Sequence, residues 1–305
     1  MQECIYVPAT SANVGPGFDS IGLALDFGNT VWIEEAEGFH ISSADETMVP
    51  TGEDNLVYRS AAHLYKLCAK PFKGLSIRQL NPIPMARGMG SSSACIVAGL
   101  VGANKLMGSP CSEQELLNVA ADIEGHPDNV APALLGGVVA SAIEDGTVYS
   151  VKKNISSDIL FAAFVPDFEL STEKARAVLP KQISHKEAVF NISRAALCQE
   201  AMCNGRLDLL RVAVNDRLHQ PYRLPLIEGG EDIFDIAHDC GAIGVFLSGA
   251  GPTILAVVPR HDVQFWQKAE NTLQQAKQNG KPAGHFDLRR LLPDNQGARI
   301  LAKEE

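Results

Sequence analysis

A glycine- and serine-rich run between a predicted strand and a predicted helix is the segment of this chain best suited to chemistry. It reads Pro84-Met-Ala-Arg-Gly88-Met-Gly90-Ser91-Ser92-Ser93-Ala94. Glycine lets the backbone approach a ligand closely, and the first turn of a helix presents unpaired N–H groups at its electropositive end. The run therefore predicts a site for a triphosphate, with serine hydroxyls as candidate magnesium ligands. The alternative is a tight loop with a serine N-cap and no ligand.

Three better known phosphate-binding and kinase signatures are absent from the sequence. No GxxxxGK[ST] pattern occurs, which excludes a Walker A loop. The spacing after Gly90 does not fit the GxGxxG fingerprint of dinucleotide-binding domains, and serines fill those positions. The combined HRD and DFG set of protein kinases is also absent, because the tripeptide Asp26-Phe27-Gly28 occurs without any HRD catalytic loop before it. The loop therefore predicts a nucleotide-phosphate site of another kind.

The elements around this loop mix strands and helices without strict alternation, which favours the α+β class over a doubly wound sheet. A strand is predicted over 75–80, before the loop, and a helix over 91–107, after it. Ser112 with Glu115 and Ser184 with Glu187 have the spacing of capping boxes and predict two further helix starts. The other predicted strands are 4–8, 21–35 with an interruption at 28–29, 137–143, 147–151, 159–165, 243–247, 253–258 and 285–288, and the other helices are 55–68, 206–217, 232–240 and 263–278. A boundary between two halves is predicted near residue 155.

The composition is that of an acidic protein with an ordinary core. Of 305 residues, 46% are hydrophobic and 20% charged, and the formal net charge is −10; a chain of this kind can bury a core without disulfides. The acidity argues against nucleic acid and anionic membranes as partners, although backbone amides and a metal ion can still bind phosphate. The seven cysteines include no CxxC pair, and the first residues carry no signal-peptide pattern. Both features favour a cytoplasmic protein with reduced thiols.

Three segments together resemble the motifs of the GHMP kinase superfamily, which contains galactokinases, homoserine kinases, mevalonate kinases and phosphomevalonate kinases. The loop described above is similar to the ATP-binding motif, residues 8–19 (PATSANVGPGFD) to the N-terminal motif, and residues 247–253 (LSGAGPT) to the C-terminal glycine motif. Within the superfamily, residues 8–19 and 124–132 (EGHPDNVAP) most resemble the homoserine kinases. Asn129 stands where mevalonate kinases usually carry a catalytic aspartate.

The resemblance implies a two-part α+β fold of the GHMP kinase type. Residues 1–155 would form an ATP-binding half like domain 2 of ribosomal protein S5, and residues 156–305 a ferredoxin-like half. It implies a kinase that uses ATP and Mg²⁺ to phosphorylate the side-chain hydroxyl of L-homoserine, a step of threonine biosynthesis. Family members are commonly homodimers, but the sequence leaves the oligomeric state and any feedback regulation open.

The resemblance also implies a role for individual residues. The implied ATP contacts are Pro84, Arg87, Gly88, Met89, Gly90, Ser91, Ser92, Ser93, Ala94 and Asn55. The implied magnesium ligands are Ser92 and Glu124, with Asp122 as a competing carboxylate; a hydroxyl and one carboxylate, completed by phosphate oxygens and water, suit magnesium. The implied substrate contacts are Asn13, Asp19, His126, Asp128, Thr172, Arg176, Arg223 and Gly249.

The chemistry of homoserine fits this set. Its ammonium group requires a carboxylate, for which Asp19 is the candidate, and its carboxylate requires arginine, for which Arg176 and Arg223 are the candidates. Phosphoryl transfer depends on positioning and charge stabilisation, and Asn129 is the candidate for stabilising the transferring group. No strong general base is evident, so direct in-line transfer is predicted, with Asp19 left open as a base.

Each assignment has a structural alternative. Asp19 could cap a turn, His126 could order its loop, the arginines could be solvated, and Asn55 and Asn129 could each cap a helix. Two rival functions also remain. One is another kinase of the superfamily, acting on a mevalonate-like or sugar substrate; the other is a non-catalytic sensor that binds ATP and signals to a partner protein. The paired arginines favour homoserine, and the presence of metal and phosphate groups disfavours the sensor.

Overall fold

The computed structural model describes residues 2–45 and 47–302, in which strands and helices are interleaved along the chain. The strands are β1 (Glu3–Ala12), β2 (Ile21–Glu35), β3 (Gly38–Ser43), β4 (Gly74–Leu80), β5 (Val138–Glu144), β6 (Thr147–Lys153), β7 (Ile159–Pro166), β8 (Gly244–Leu247), β9 (Ile254–Pro259), β10 (Phe286–Leu291) and β11 (Arg299–Ile300). The helices are α1 (Leu56–Leu67), α2 (Ser91–Leu106), α3 (Glu113–Glu124), α4 (Pro127–Leu135), α5 (Thr172–Ala177), α6 (His185–Cys203), α7 (Leu207–Ala213), α8 (Gln220–Arg223), α9 (Gly230–Cys240) and α10 (Val263–Gln278). Among the described helices, none combines the length and the apolar character that a membrane span requires.

The first sheet is built around the long strand β2. Its order is β11-β1-β2-β4-β3, with β5 beside β2 and β6 beside β5. β2 can pair with both β4 and β5 because its residues 30–35 face β4 and its residues 21–23 face β5. The register between β1 and β2 shifts between Pro8 and Ala9, which marks a β-bulge. Helices α2 and α4 pack against β1 and β2, and this side of the sheet forms the larger core.

The second sheet lies between two hydrophobic clusters. Its strands have the order β10-β7-β9-β8 and pair antiparallel. All eight residues of β7 are buried, and their side chains alternate: Phe161 and Ala163 join the larger core, whereas Ala162 and Phe164 join a second core with α9 and α10. Because successive strand residues point to opposite faces, the second sheet connects the two cores.

The predicted capping boxes are confirmed. Ser112 accepts from the Glu115 N–H, and the Glu115 carboxylate accepts from the Ser112 N–H, at the start of α3. Ser184 and Glu187 make the same pair of bonds at the start of α6. Each box satisfies two backbone donors that the first helical turn would otherwise leave unpaired.

Two predictions about elements were wrong. The helix predicted over 206–217 ends at Ala213, because the Asp216 side chain accepts N–H groups of residues 218–220 and stabilises a turn instead. The interruption predicted at 28–29 does not occur, because β2 runs through it. A Cβ on Gly28 would lie 2.2 Å from the Val7 carbonyl oxygen, so glycine here permits close strand approach rather than a break.

The α+β class is confirmed, whereas the division at residue 155 stays a prediction. Residues before it supply six strands of the first sheet, but β11 returns to that sheet and places Ile300 opposite Ile5 on β1. The first sheet therefore contains residues from both sides of the predicted boundary.

Candidate active site

The three glycine-containing segments meet in space although they are far apart in sequence. The Gly249 N–H donates to the Ala12 carbonyl at 3.1 Å, and the Ser248 hydroxyl donates to the Gly88 carbonyl at 2.6 Å. Gly88 has a φ of 75°, and a Cβ there would lie 2.3 Å from the Ser248 carbonyl oxygen. Glycine is therefore required at this contact, both by conformation and by space.

A cavity of about 370 Å³ lies between these segments. Most of the predicted site residues line it: Asn13, Asp19, Pro84, Arg87, Gly88, Met89, Gly90, Ser91, Ser92, Glu124, His126, Asp128, Asn129, Thr172, Arg176, Arg223 and Gly249. The structure thus brings the glycine-serine loop, the carboxylates and both arginines to one place.

Three residues predicted to bind ATP do not line this cavity. Ala94 is buried in the core, and the buried Ser93 hydroxyl donates to Glu124 Oε1 at 2.8 Å. Asn55 is the N-cap of α1: its side-chain oxygen accepts two N–H groups of that helix, and its amide donates to Gln79 Oε1 at 2.7 Å. Asn55 therefore has the structural role of a helix cap, and its contact with ATP stays a prediction.

The start of α2 has the form of an anion site. Its N-cap, Gly90, has a φ of 71° and no side chain to cap the helix. A Cβ at Gly90 would lie 1.9 Å from Thr10 Oγ1. The first N–H groups of this 16-residue helix are therefore available to a ligand at its positive end, where phosphate is favoured.

Glu124, the last residue of α3, faces this helix start. Its two carboxylate oxygens accept from Ser92 Oγ at 3.2 Å and from Ser93 Oγ at 2.8 Å. Burial raises the pKa of Glu124, although the serine hydroxyls act in the opposite direction. Asp122, the competing carboxylate, is exposed and does not line the cavity. Ser92 with Glu124 thus offers one hydroxyl and one carboxylate side by side.

Asp19 and Arg176 form a forked ion pair on the wall of the same cavity. Arg176 Nη1 and Nη2 donate to the two carboxylate oxygens of Asp19 at 3.0 and 2.8 Å. Asp19 has a φ of 53°, and its N–H donates to Asn13 Oδ1 at 2.9 Å. The Asn13 amide donates in turn to the Gly249 carbonyl at 2.8 Å. Neighbouring loops therefore hold the Asp19 backbone in a conformation that few non-glycine residues adopt.

Arg223 is a buried cation on the wall of the same cavity, with 1% of its surface exposed. It donates to the carbonyls of Ala175 and Gly249, each at 3.2 Å. Burial, with the nearby charge of Arg176, lowers the pKa of Arg223 to about 10. A buried arginine bonded to neutral acceptors attracts an anion strongly.

His126, Asp128 and Asn129 also line the cavity, and the charges of both Asp19 and Glu124 act on His126. His126 Nδ1 is 2.9 Å from Asp128 Oδ1, and this contact raises the pKa of His126. The hydroxyl of Thr10 donates to Asn129 Oδ1 at 2.8 Å, which orients the amide and leaves its NH₂ group as a donor. His126 occupies the N-cap position of α4, so the alternative that Asn129 caps this helix is wrong.

Arg87 lines the cavity but also fastens the glycine-serine loop to the second half of the chain. Its guanidinium donates to the carbonyls of Pro166 at 3.1 Å and Asp167 at 2.9 Å, and it pairs with Glu169 at 3.2 Å. These bonds use most of its donors. Arg87 therefore positions the loop as well as adding positive charge to the cavity.

Comparison with known proteins decides the family. Two family models match, "GHMP kinases N terminal domain" over residues 55–137 and "GHMP kinases C terminal" over residues 198–277. The homoserine kinase of Clostridium beijerinckii is 45% identical over 299 residues, which cover 97% of this chain and 98% of that protein. The chain belongs to the homoserine kinase family of the GHMP kinases. The homoserine kinase of Caldicellulosiruptor saccharolyticus is 43% identical over 300 residues, or 98% of this chain and 96% of that one.

Solved structures of GHMP kinases have the same fold. The crystal structure of homoserine kinase from Cytophaga hutchinsonii superimposes with a TM-score of 0.85 at 29% identity and covers 98% of this chain and 97% of its own. A mevalonate kinase from L. major has a TM-score of 0.70 at 15% identity, with 94% and 95% covered, and shows the fold alone. The GHMP kinase resemblance and its two-part α+β fold are therefore confirmed.

Three polar residues of this homoserine kinase family member were missed by the sequence analysis. Thr10 orients Asn129, as described above, while the fully buried pair Asp216 and His219 lies behind Arg223. A signal existed for each: Thr10 is in the N-terminal motif, and Asp216 and His219 directly precede residues 220–223. Each affects the cavity by orienting another side chain, and such indirect contacts cannot be read from the sequence.

Proposed function

We propose that this chain transfers the γ-phosphoryl group of ATP to the side-chain hydroxyl of L-homoserine and so forms O-phospho-L-homoserine for threonine biosynthesis. One observation carries the proposal: a single cavity holds both a helix-start anion site and a carboxylate with two arginines. The first suits a triphosphate, and the second suits a zwitterionic amino acid. The names of the curated relatives, homoserine kinases over nearly the whole chain, support the same substrate.

ATP would place its phosphates on residues 88–92 at the start of α2. Ser92 and Glu124 would hold magnesium, and the fit rests on their chemistry: a hydroxyl and a carboxylate 3.2 Å apart, beside a phosphate site, with Glu124 partly buried. Bound there, the metal would supply positive charge to neutralise the phosphate oxygens. The residues of the chain itself fix the loop and aim the N–H groups.

The nucleoside would lie beside α1. A second cavity of about 520 Å³ begins at Leu56, the residue after Asn55, and includes Tyr58, Phe72 and Ile123. Ile123 is the neighbour of Glu124 on α3, which supports placing the nucleoside near the proposed metal site. The aromatic and apolar residues would suit a purine ring. The same cavity is also lined by Glu53, Arg59, His63 and Lys66.

Homoserine would exchange partners with the Asp19–Arg176 pair. Its ammonium group would take the carboxylate of Asp19, and its carboxylate would take Arg176 and Arg223. Asn13 and Gly249 would position this end through their hydrogen bond, and His126, Asp128 and Thr172 would line the rest of the substrate site.

Transfer would be direct and in line. Asp128 is buried and paired with His126. Asp19, once homoserine has displaced Arg176 from it, would hold the substrate ammonium group, so neither carboxylate would be free to take the hydroxyl proton. Asn129, oriented by Thr10, would donate to the transferring phosphoryl group. The proton of the homoserine hydroxyl would then leave to ATP or to solvent.

We further propose that the chain works in the cytoplasm as a homodimer, as members of its family commonly do. Size-exclusion chromatography with light scattering distinguishes a mass of twice 32.7 kDa from that of the single chain.

A coupled ADP-release assay with Mg-ATP tests the activity. The acceptors are homoserine, mevalonate, galactose and shikimate, and turnover is expected with homoserine alone. Replacing Asn129 by alanine should lower kcat by about 100-fold or more, because a preorganised donor to the transition state is lost. Arg223→Ala should mainly raise the KM for homoserine, and Arg211→Ala, on the exposed side of α7, serves as the matched control.

Other outcomes would redirect the proposal. Turnover with mevalonate or galactose would support a kinase activity but contradict the roles proposed for Arg176 and Arg223. ATP binding without turnover of any acceptor would favour the non-catalytic sensor.

A further inference from the structure

The guanidinium of Arg223 has only neutral acceptors. They are the carbonyls of Ala175 and Gly249 and the imidazole of His219, whose Nδ1 is 3.3 Å from Arg223 Nη1. Within residues 2–45 and 47–302, no carboxylate lies within 4.0 Å of this guanidinium. The Phe18 ring also lies against this guanidinium, 5.2 Å from ring centroid to Cζ. Among the hydrogen-bond partners that the structure describes for Arg223, His219 is the one side chain, so it is the side chain that can direct the N–H groups.

The contacts of His219 define its tautomer. Its Nε2 is 2.7 Å from the Gly15 carbonyl oxygen, and because a carbonyl can only accept, Nε2 must carry hydrogen. Nδ1 then accepts from Arg223. The ring is fully buried, and burial lowers the pKa of His219, consistent with a neutral imidazole; Asp216, Arg223 and Asp19 are the charged groups that act on it.

The backbone of His219 is held as firmly as its ring. The Asp216 carboxylate accepts the N–H groups of His219 at 2.9 Å and Gln220 at 2.7 Å, and it also accepts from Asn191 Nδ2 at 2.6 Å. Four donors in all converge on this buried carboxylate. The imidazole therefore has one position from which to meet Arg223.

His219 also connects two parts of the cavity wall. Gly15, its acceptor, belongs to the loop that carries Asn13 and Asp19. A Cβ at Gly15 would lie 2.1 Å from the Val214 carbonyl oxygen, so this loop packs directly on the segment that leads to His219. Arg223 and Asp19 therefore have a common support.

We propose that His219 is a positioning residue, which as the neutral Nε2–H tautomer aims Arg223 at the carboxylate of the amino-acid substrate and ties it to the Asp19 loop. The inference rests on the proposed function, since it needs an amino-acid acceptor. It adds a determinant of specificity: His219 would select for the carboxylate without touching the substrate.

The test compares two alcohols as phosphoryl acceptors, in wild type and in His219 variants. Homoserine carries the carboxylate, and 3-aminopropan-1-ol is the same molecule without it. In His219→Leu, which lacks both imidazole nitrogens, the KM for homoserine should rise about 10- to 100-fold, as expected for a lost hydrogen bond to a charged group. The KM for ATP and the kcat/KM for 3-aminopropan-1-ol should change less than about twofold. His219→Asn, whose amide oxygen can replace Nδ1 as acceptor, should recover most of the homoserine affinity.

The outcomes separate this inference from the proposed function. If wild type does not phosphorylate homoserine, the proposed function fails before any variant is made. Suppose instead that wild type phosphorylates homoserine. If His219→Leu then keeps its KM for homoserine, or loses the same factor in kcat/KM for homoserine and for 3-aminopropan-1-ol, the positioning role is overturned. Should the leucine variant not fold, His219→Gln retains a donor for Gly15 without an acceptor at Nδ1, and unchanged preference for homoserine in that variant overturns the role as well.

Discussion

Glu124 is a carboxylate whose surroundings favour its protonated form. Burial raises its pKa above the ordinary value, so the folded protein binds a proton there more tightly than the unfolded chain does. Stability from this group is therefore fully present below the unfolded pKa and is lost as pH rises through the folded pKa. At neutral pH the ionised carboxylate therefore weakens the fold, as is expected of the magnesium ligand proposed here.

Glu124→Gln should thus separate stability from activity. At pH 7 the variant should melt at a higher temperature than wild type without magnesium, and the difference should vanish in acid, where wild type is also neutral. Its kcat/KM should fall at least about 100-fold, because the proposed magnesium ligand is lost. Differential scanning calorimetry and the ADP-release assay give the two readings. Asp122→Asn, an exposed change on the same helix, should alter neither; a matching loss of activity there would move the metal to Asp122.

At the residue scale, the sequence identified the types of side chain but not their partners. Asp19 and Arg176 were assigned to opposite ends of one substrate, yet the structure pairs them with each other across 157 residues of chain. His219 was not assigned, although it directly precedes residues 220–223, because the sequence does not show that its ring contacts Arg223. Pairing across the cavity depends on the fold, which residue type does not encode.

Among the elements, the contact between β2 and α4 fixes the segment that carries Asn129. A Cβ on Gly22 of β2 would lie 1.7 Å from the Asp128 carbonyl oxygen in the first turn of α4. Because the obstacle is backbone, α4 would have to move as a unit, together with Asn129. The position of this short helix is therefore set by the absence of a side chain on the strand beneath it.

Gly22→Ala should lower the free energy of unfolding by about 1–3 kcal/mol, the usual cost of overpacking, and should reduce kcat because Asn129 shifts. Urea denaturation and the kinetic assay at low temperature measure the two effects. Gly52→Ala is the matched control, since a Cβ there would meet only the flexible carboxylate of Asp54, at 3.2 Å. Equal stability of the two variants would mean that α4 is not fixed by this contact.

Elements with a strong local signal were predicted well, and those that depend on neighbours were not. The helix over 263–278 was predicted with its observed limits, and both capping boxes are present. Strand β3 has only two apolar residues, Phe39 and Ile41, and lies largely exposed at the sheet edge, while β11 has two residues. Helix α8 has four residues. Such elements form through pairing and packing, and their own residues carry little propensity.

For the molecule as a whole, one side chain joins the C-terminal segment to the predicted boundary. Asn295 Oδ1 accepts from the Ile155 N–H at 2.9 Å, and its amide donates to the Ile155 carbonyl at 3.1 Å. Ile155 is 2% exposed, so both backbone groups would lack water if these bonds were lost. Asn295 pairs with this backbone as a neighbouring strand would.

Asn295→Ala should lower the free energy of unfolding by about 2 kcal/mol, because two buried backbone groups are left unpaired. The KM values for both substrates should stay unchanged, since Asn295 does not line the cavity. Gln296→Ala, a change of an exposed neighbour, should be neutral. A single cooperative transition in both proteins is expected; two separate transitions would show that the halves unfold independently.

The architecture was predictable from three motifs because they resemble one family, whose fold is shared. The contacts between the three motifs were not predictable, because the hydrogen bonds from Gly249 to Ala12 and from Ser248 to Gly88 join segments far apart in sequence. The sequence also could not show that β7 contributes side chains to both cores. Its residues are uniformly apolar, so no alternation of polar and apolar residues distinguishes its two faces.

The forked pair of Asp19 and Arg176 has a consequence for selectivity. These two side chains are each other's ligand, so any incoming molecule competes with the protein itself for them. A simple amine would pair with Asp19 and leave the Arg176 guanidinium without a partner. A simple carboxylic acid would pair with Arg176 and leave Asp19 without one. Only a zwitterion returns a partner to both. Discrimination against the many singly charged alcohols of a cell would then arise from an exchange of ions, whatever the size of the cavity.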